Sequence, residues 1–216
     1  LEQAIDVTKK IKDKIFTIKI GLEFFNFFGK EGIKKLNKIG MTNLMLDLKL
    51  NDIPQTVYKA IKALDDISFG YLTIHGQGGK EMIEKAKKAS SEIKCQPKIM
   101  MVTILTALSD DDLKNMGNNN TVIEQVKKLA KVAKETEVGV ICSGHEAIIV
   151  RKIIGTSHLI FTPGIRMKSD NKNDQKRICT PKESIDNGSD KIIMGRSLIN
   201  GNIEENLDRV LSSIET

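Results

Sequence analysis

The stretch NLMLDLKLNDIPQ at residues 43–55 opens as an apolar run of strand length and closes in turn chemistry ahead of a segment with helical period. Residues 43–48 are apolar nearly throughout, as strands covered on both faces are, and residues 55–64 carry the spacing of an amphipathic helix. The same unit recurs along the chain. Strands are expected at 15–20, 71–75, 98–105, 138–142, 158–162 and 191–194, and helices at 31–38, 80–90, 122–135, 145–153, 181–187 and 203–214. Strand alternating with helix, with no linker between units, implies βαβ connections and a parallel sheet.

Seven strands are legible, and the chain opens on a helix, residues 2–14, with no strand before it. A closed (β/α)8 TIM barrel needs eight. The simplest reconciliation is a single barrel domain over residues 1–216 whose strand one is missing from this sequence and is expected ahead of Leu1. An open doubly wound sheet is the alternative, but its glycine fingerprint does not occur: the first strand-to-helix turn reads Ile18-Lys19-Ile20-Gly21-Leu22-Glu23 rather than GxGxxG.

At 216 residues, with 40% hydrophobic and 29% charged residues, the composition is that of an ordinary soluble domain. No stretch reaches the roughly 18 apolar residues of a membrane span, and residues 1–10 lack the basic-then-apolar layout of a signal segment. Cys95, Cys142 and Cys179 are odd in number and far apart, so neither a disulfide framework nor a CxxC metal knuckle is built from them. A reducing cytoplasm fits. The net charge of +6 permits an anionic partner. Nucleic acid is disfavoured, because the chain has two Tyr and no Trp to stack on bases, and Lys9, Lys10, Lys87, Lys88, Lys127 and Lys128 fall on solvent-facing positions of helical patterns. Arginine occurs only at 151, 166, 177, 196 and 209. Its planar fork suits phosphate, so its placement carries information.

Chemistry concentrates where the opening stretch turns from strand to helix. Asp47 and Lys49 share a face with Met45 by strand alternation, and in a barrel catalytic groups sit at the strand ends. An acid and an amine buried there must pair; a plain structural salt bridge is the bland reading. Asp52 adds a second carboxylate, and Lys19 near the end of the preceding strand completes an alternating Lys-Asp-Lys-Asp array. Further on, residues 164–176 form a polar, charged stretch without periodicity that begins at a strand end and contains Arg166 and Gln175, both able to hold an anion or a base edge. Such stretches are commonly binding loops. The last strand ends Met194-Gly195-Arg196-Ser197, where glycine admits an anion to backbone N–H groups and arginine clamps it, the usual barrel phosphate location.

With these residues in view the sequence resembles the orotidine 5′-phosphate decarboxylase family, nearest its bacterial branch. The motifs run along essentially the whole chain: Lys19-Ile20-Gly21, DLKLNDIPQT at 47–56, Thr73-Ile74-His75, Val102-Thr103-Ile104-Leu105-Thr106, Thr162-Pro163-Gly164-Ile165-Arg166, Asp174-Gln175-Lys176-Arg177 and Gly195-Arg196. The resemblance implies a cytoplasmic homodimer with shared active sites that converts orotidine 5′-monophosphate to UMP and CO2 without metal or organic cofactor. It makes Lys49 the proton donor to C6 of the pyrimidine, sets Asp47 beside the scissile carboxylate and gives Lys19 to the ribose and the charge array. Asp52 and Thr56 would cross into the neighbouring subunit's site. Thr106 would touch the pyrimidine, Gln175 would bridge base and phosphate, and Arg166, Gly195 and Arg196 would hold the phosphate, with Pro163 in the same binding loop. The family's ribose-binding aspartate at the end of strand one has no counterpart here.

Two alternatives stay open on the sequence. Magnesium-dependent sugar-phosphate decarboxylases and aldolases of the same barrel share DxKxxD, but carry a glutamate metal ligand where Lys19 stands, and a protonated lysine cannot ligate magnesium. A catalytically silent phosphate-binding barrel is the other. Phe24, Phe25, Phe27 and Phe28 read as packing on a helix or at a dimer interface, His75 reads as a hydrogen-bonded wall of the site, and His145 and His158 stand apart from any metal-binding cluster.

Overall fold

The computed structural model describes residues 1–167 and 178–215. These fall into two compact units, residues 1–101 and 102–216.

The first unit begins with α1 (Glu2–Ile11), followed by β1 (Ile18–Gly21), α2 (Leu22–Lys38), β2 (Leu44–Leu50), α3 (Pro54–Lys62), β3 (Tyr71–His75), α4 (Lys80–Ser91) and β4 (Lys98–Val102). β1 pairs in parallel with β2 and β2 with β3. The expected strand–helix alternation is therefore present. Its core is built from Ile20, Leu44, Met45, Leu46, Leu72 and Ile74 on the strands, covered by Ile33, Leu36, Ile61, Met82 and Ile83 from the helices. Burying side chains of this size stabilises by about 1.5–3 kcal/mol each relative to exposure. α2 begins nine residues ahead of the expected helix because Gly29, at φ +52°, breaks it into two segments. Only the second segment, which buries Gly32, Ile33 and Leu36, shows a clear apolar face. Pro54 stands at the first turn of α3, where its missing N–H has no helical partner to lose.

The second unit contains α5 (Asp110–Asn115), α6 (Val122–Thr136), β5 (Gly139–Ile141), α7 (Ala147–Ile154), β6 (Ile160–Thr162), α8 (Pro181–Asp186), β7 (Lys191–Ile192), α9 (Arg196–Ile199) and α10 (Ile203–Glu215). β5 pairs in parallel with β6 and β6 with β7, so within this unit the strands again lie in chain order. Fully buried Val126, Ala130, Val140, Val150, Ile160 and Phe161 form its core. The helix starts are specified locally: Ser109 with Asp112, Thr121 with Glu124 and Thr180 with Glu183 form reciprocal capping boxes. Arg151 of α7 ties the unit together by donating to the carbonyls of Gly155, His158 and Gly188 and to the carboxylate of Asp190.

Parallel strands in chain order, each leading into a helix, are the architecture of the (β/α)8 barrel class.

Candidate active site

The C-terminal end of β2 departs from simple alternation. Leu46 pairs with Leu72 and Leu50 with Ile74, so four steps along β2 match two along β3. The surplus forms a bulge of Asp47, Leu48 and Lys49 opposite Thr73. Bulges re-aim side chains at functional strand ends. Here Lys49 takes φ +48°, a left-handed conformation unusual for a residue with a side chain. Its backbone N–H, displaced from the ladder, donates to Thr73 Oγ1 at 2.8 Å.

The result is a compact charge cluster. Lys49 Nζ donates to Asp47 Oδ1 at 2.8 Å and Lys19 Nζ to Asp47 Oδ2 at 3.0 Å, so each carboxylate oxygen receives one ammonium. Thr73 Oγ1 adds a third bond to Oδ1 at 3.1 Å. Burial pushes the Asp47 carboxyl up, but the charges and hydrogen bonds of Lys19 and Lys49 outweigh it and hold the group below its ordinary value. Asp47 is thereby kept ionised, with 12% of its side chain exposed against 35% for Lys19 and 30% for Lys49. His75 is half-buried beside the cluster. Burial first and the Lys49 charge second lower its pKa, against the opposing pull of the Asp47 carboxylate.

Asp52 is not joined to the other three within this chain. It is exposed, and its Oδ1 accepts the N–H of Ile53 at 2.7 Å, an arrangement that closes the turn into α3. Thr56 is exposed on the first turn of the same helix.

In the second unit, Pro163 and Arg166 follow β6. Arg166 is only 6% exposed, donates from Nη1 to Ile165 O at 2.8 Å, and its Nε has no hydrogen-bond partner among the described residues. A buried guanidinium with donors to spare is costly unless an acceptor meets it, and suits a phosphate. The root of this loop is pinned where the Arg166 N–H donates to Cys179 O and the Cys179 N–H to Gly164 O. Thr106 is buried beyond β4. Gly195 and Arg196 are exposed at the start of α9, and among the described residues a Cβ on Gly195 would meet nothing within 4 Å, leaving its backbone approachable. Gln175, and residues 168–176 of the binding loop expected at 164–176, lie outside the described residues.

The motif Thr73-Ile74-His75 assigns Thr73 no role. The signal that could have drawn attention to it was a hydroxyl in an otherwise apolar run, two residues before His75 and so on the same face.

With this geometry established, comparison with known proteins is specific. The chain is 37% identical over 216 residues to orotidine 5′-phosphate decarboxylase of Buchnera aphidicola subsp. Acyrthosiphon pisum (strain Tuc7), covering 99% of this chain and 91% of the relative. The enzyme of the same name from Pseudoalteromonas translucida (strain TAC 125) is 39% identical over 199 residues, covering 91% and 85%. The crystal structure of orotidine 5′-phosphate decarboxylase from Lactobacillus acidophilus superposes with a TM-score of 0.79 at 34% identity, covering 98% of this chain and 94% of that one. The sequence model of the orotidine 5′-phosphate decarboxylase / HUMPS family matches residues 1–206, and the chain belongs to that family.

Proposed function

We propose that the protein is an orotidine 5′-phosphate decarboxylase, releasing CO2 from orotidine 5′-monophosphate to give UMP in pyrimidine nucleotide synthesis, with no metal or organic cofactor. The observation that carries this reading is the Lys19–Asp47–Lys49 cluster, in which one carboxylate is held between two ammonium groups at 3.0 and 2.8 Å.

Breaking the C6–carboxylate bond leaves its electron pair on an sp² carbon, with no carbonyl placed to take it as an enolate. Fixed charge must supply the stabilisation. The Lys49 ammonium attracts the electron pair as CO2 departs and then delivers its proton to C6. Asp47, kept anionic by its two lysines, disfavours the substrate carboxylate beside it and fixes Lys49 in place. Lys19 compensates the Asp47 charge and reaches the ribose. Buried Arg166, whose Nε has no partner among the described residues, supports a phosphate role there, and the approach to Gly195 beside Arg196, open among the described residues, supports another. Thr106, Pro163 and Gln175 complete the proposed substrate contacts.

The reading includes a cytoplasmic homodimer in which Asp52 and Thr56 serve the partner's site. Supporting it, both residues are exposed at the start of α3, next to Ile53 at 67% exposure, and Phe27 is 81% exposed on α2. Large exposed apolar side chains are common at association surfaces. The rings of Phe24 and Phe27 pack on Phe28.

The magnesium-dependent reading gains no observation. The Lys19 ammonium occupies Asp47 Oδ2 and offers no lone pair to a cation.

The test is Lys49→Ala. Turnover of orotidine monophosphate should fall by many orders of magnitude while UMP binding, measured by calorimetry, persists. A variant that still decarboxylates at the wild-type rate would overturn the assignment.

A further inference from the structure

Thr73 is fully buried, stands alone on β3 opposite the three bulged residues of β2, and its hydroxyl touches both the Asp47 carboxylate and the Lys49 backbone. The direction of its bonds is fixed by chemistry. The backbone N–H of Lys49 can only donate, so Thr73 Oγ1 must accept there. Its own proton is then free to be given to Asp47 Oδ1, an acceptor because Asp47 is held ionised. Lys49 Nζ donates to that same oxygen. A closed circuit results: the Lys49 backbone N–H donates to Thr73, Thr73 donates to Asp47, and the Lys49 ammonium donates to the same Asp47 carboxylate.

Each bond in the circuit solves a problem the bulge creates. Lys49 sits at φ +48°, which a lysine adopts only where its surroundings over-determine it, and its N–H has left the strand ladder. Without the hydroxyl, that part-buried donor would lose its partner. Asp47 would keep its two lysines but lose the neutral donor Thr73 Oγ1. Geometry at a reacting centre tolerates little slack.

We propose that Thr73 is a positioning residue for the decarboxylation: its hydroxyl sets the Lys49 ammonium and the Asp47 carboxylate in their reactive relation, and touches no substrate itself. The inference rests on the decarboxylase reading for its kinetic consequence, and on geometry alone for its effect on Asp47.

The experiment compares Thr73→Val, which keeps the shape and removes the hydroxyl, with the pair Thr73→Ser and Thr73→Ala, which differ from each other only in the hydroxyl. For the Val and Ala variants kcat should fall about 10- to 100-fold, the scale of an ångström-sized misplacement, with KM and UMP affinity within about twofold because substrate contacts are untouched. Ser should recover most of the kcat. Carboxyl ¹³C NMR should show the Asp47 titration midpoint moved upward in Val and Ala and restored in Ser. If Val does not fold, the Ser–Ala comparison decides alone. Equal kcat and equal Asp47 titration in Ser and Ala would overturn the proposal, as would a loss confined to KM. A wild-type protein that does not decarboxylate orotidine monophosphate would overturn the decarboxylase reading instead, and the NMR titration would still decide the role of Thr73.

Discussion

Lys19 Nζ lies 3.0 Å from Asp47 Oδ2, although the backbone register sets Lys19 beside Met45 and Asp47 beside Gly21. The lysine stem therefore runs forward along the sheet by two strand residues, about 7 Å, over the space that Gly21 leaves without a side chain. The ammonium is delivered to the strand end, where Asp47 and Lys49 meet.

This contact has a titration consequence. Asp47 has a depressed pKa, so its contribution to stability is present above the ordinary carboxylate value of about 3.9 and is lost as pH falls through the lower folded value. Because burial acts upward and is the largest single influence, Lys19→Met should move the Asp47 midpoint up. Asp66, bridged by Lys30 and Lys34, is lowered to about 2 by those hydrogen bonds and loses its contribution in the same direction, between about pH 4 and 2. Acid unfolding followed by circular dichroism should be shallower over that range in Asp66→Asn. An unchanged acid limb would contradict the ion-pair assignment.

Phosphate anchoring is separable from the chemistry. Arg196→Ala should weaken UMP binding and lower kcat/KM by about 2–4 kcal/mol, the loss expected when one partner of a desolvated charge contact is removed. Calorimetric titration with UMP checks this; undiminished affinity would place the phosphate elsewhere.

A shared site predicts complementation. In a twofold dimer with Asp52 and Lys49 acting on the same substrate from different subunits, mixing inactive Asp52→Ala and Lys49→Ala proteins should restore about a quarter of the wild-type activity by random pairing. No recovery after subunit exchange verified by mass spectrometry would show that each site is built from one chain.

Arg151 illustrates a purely structural arginine. Its five donors satisfy the carbonyls of Gly155, His158 and Gly188 and the Asp190 carboxylate. A lysine cannot reproduce that fork. Arg151→Lys should cost about 2–3 kcal/mol in denaturant unfolding, the order of losing one or two charge-assisted bonds; a change below a few tenths would contradict the hub role.

The strands were legible because β1 to β7 are apolar runs between helical periods, and every expected strand has an observed counterpart. The ends were less so. Residues 103–105 and 193–194 continue their runs in sequence but lie beyond β4 and β7, because apolar composition continues where ladder pairing stops. Gly29 hid the first half of α2, and α5, at six residues, is too short for periodicity to reveal. In the cluster, alternation correctly placed Asp47 and Lys49 on one side, but the bulge and the left-handed Lys49 that bring Nζ onto Oδ1 leave no trace in side-chain pattern. Thr73 escaped for the same reason: a hydroxyl in a strand acquires its role from what lies across the ladder. Spacing groups Asp52 with the array, while within this chain its carboxylate accepts the Ile53 N–H.

The measurement that bears most directly on the central claim is the loss of orotidine monophosphate absorbance with purified protein in excess EDTA. Full activity that added magnesium does not raise, with UMP and CO2 formed in equal amounts, is the predicted result. Activity abolished by EDTA and restored by magnesium, or turnover of 3-keto-L-gulonate 6-phosphate in place of orotidine monophosphate, would contradict the account.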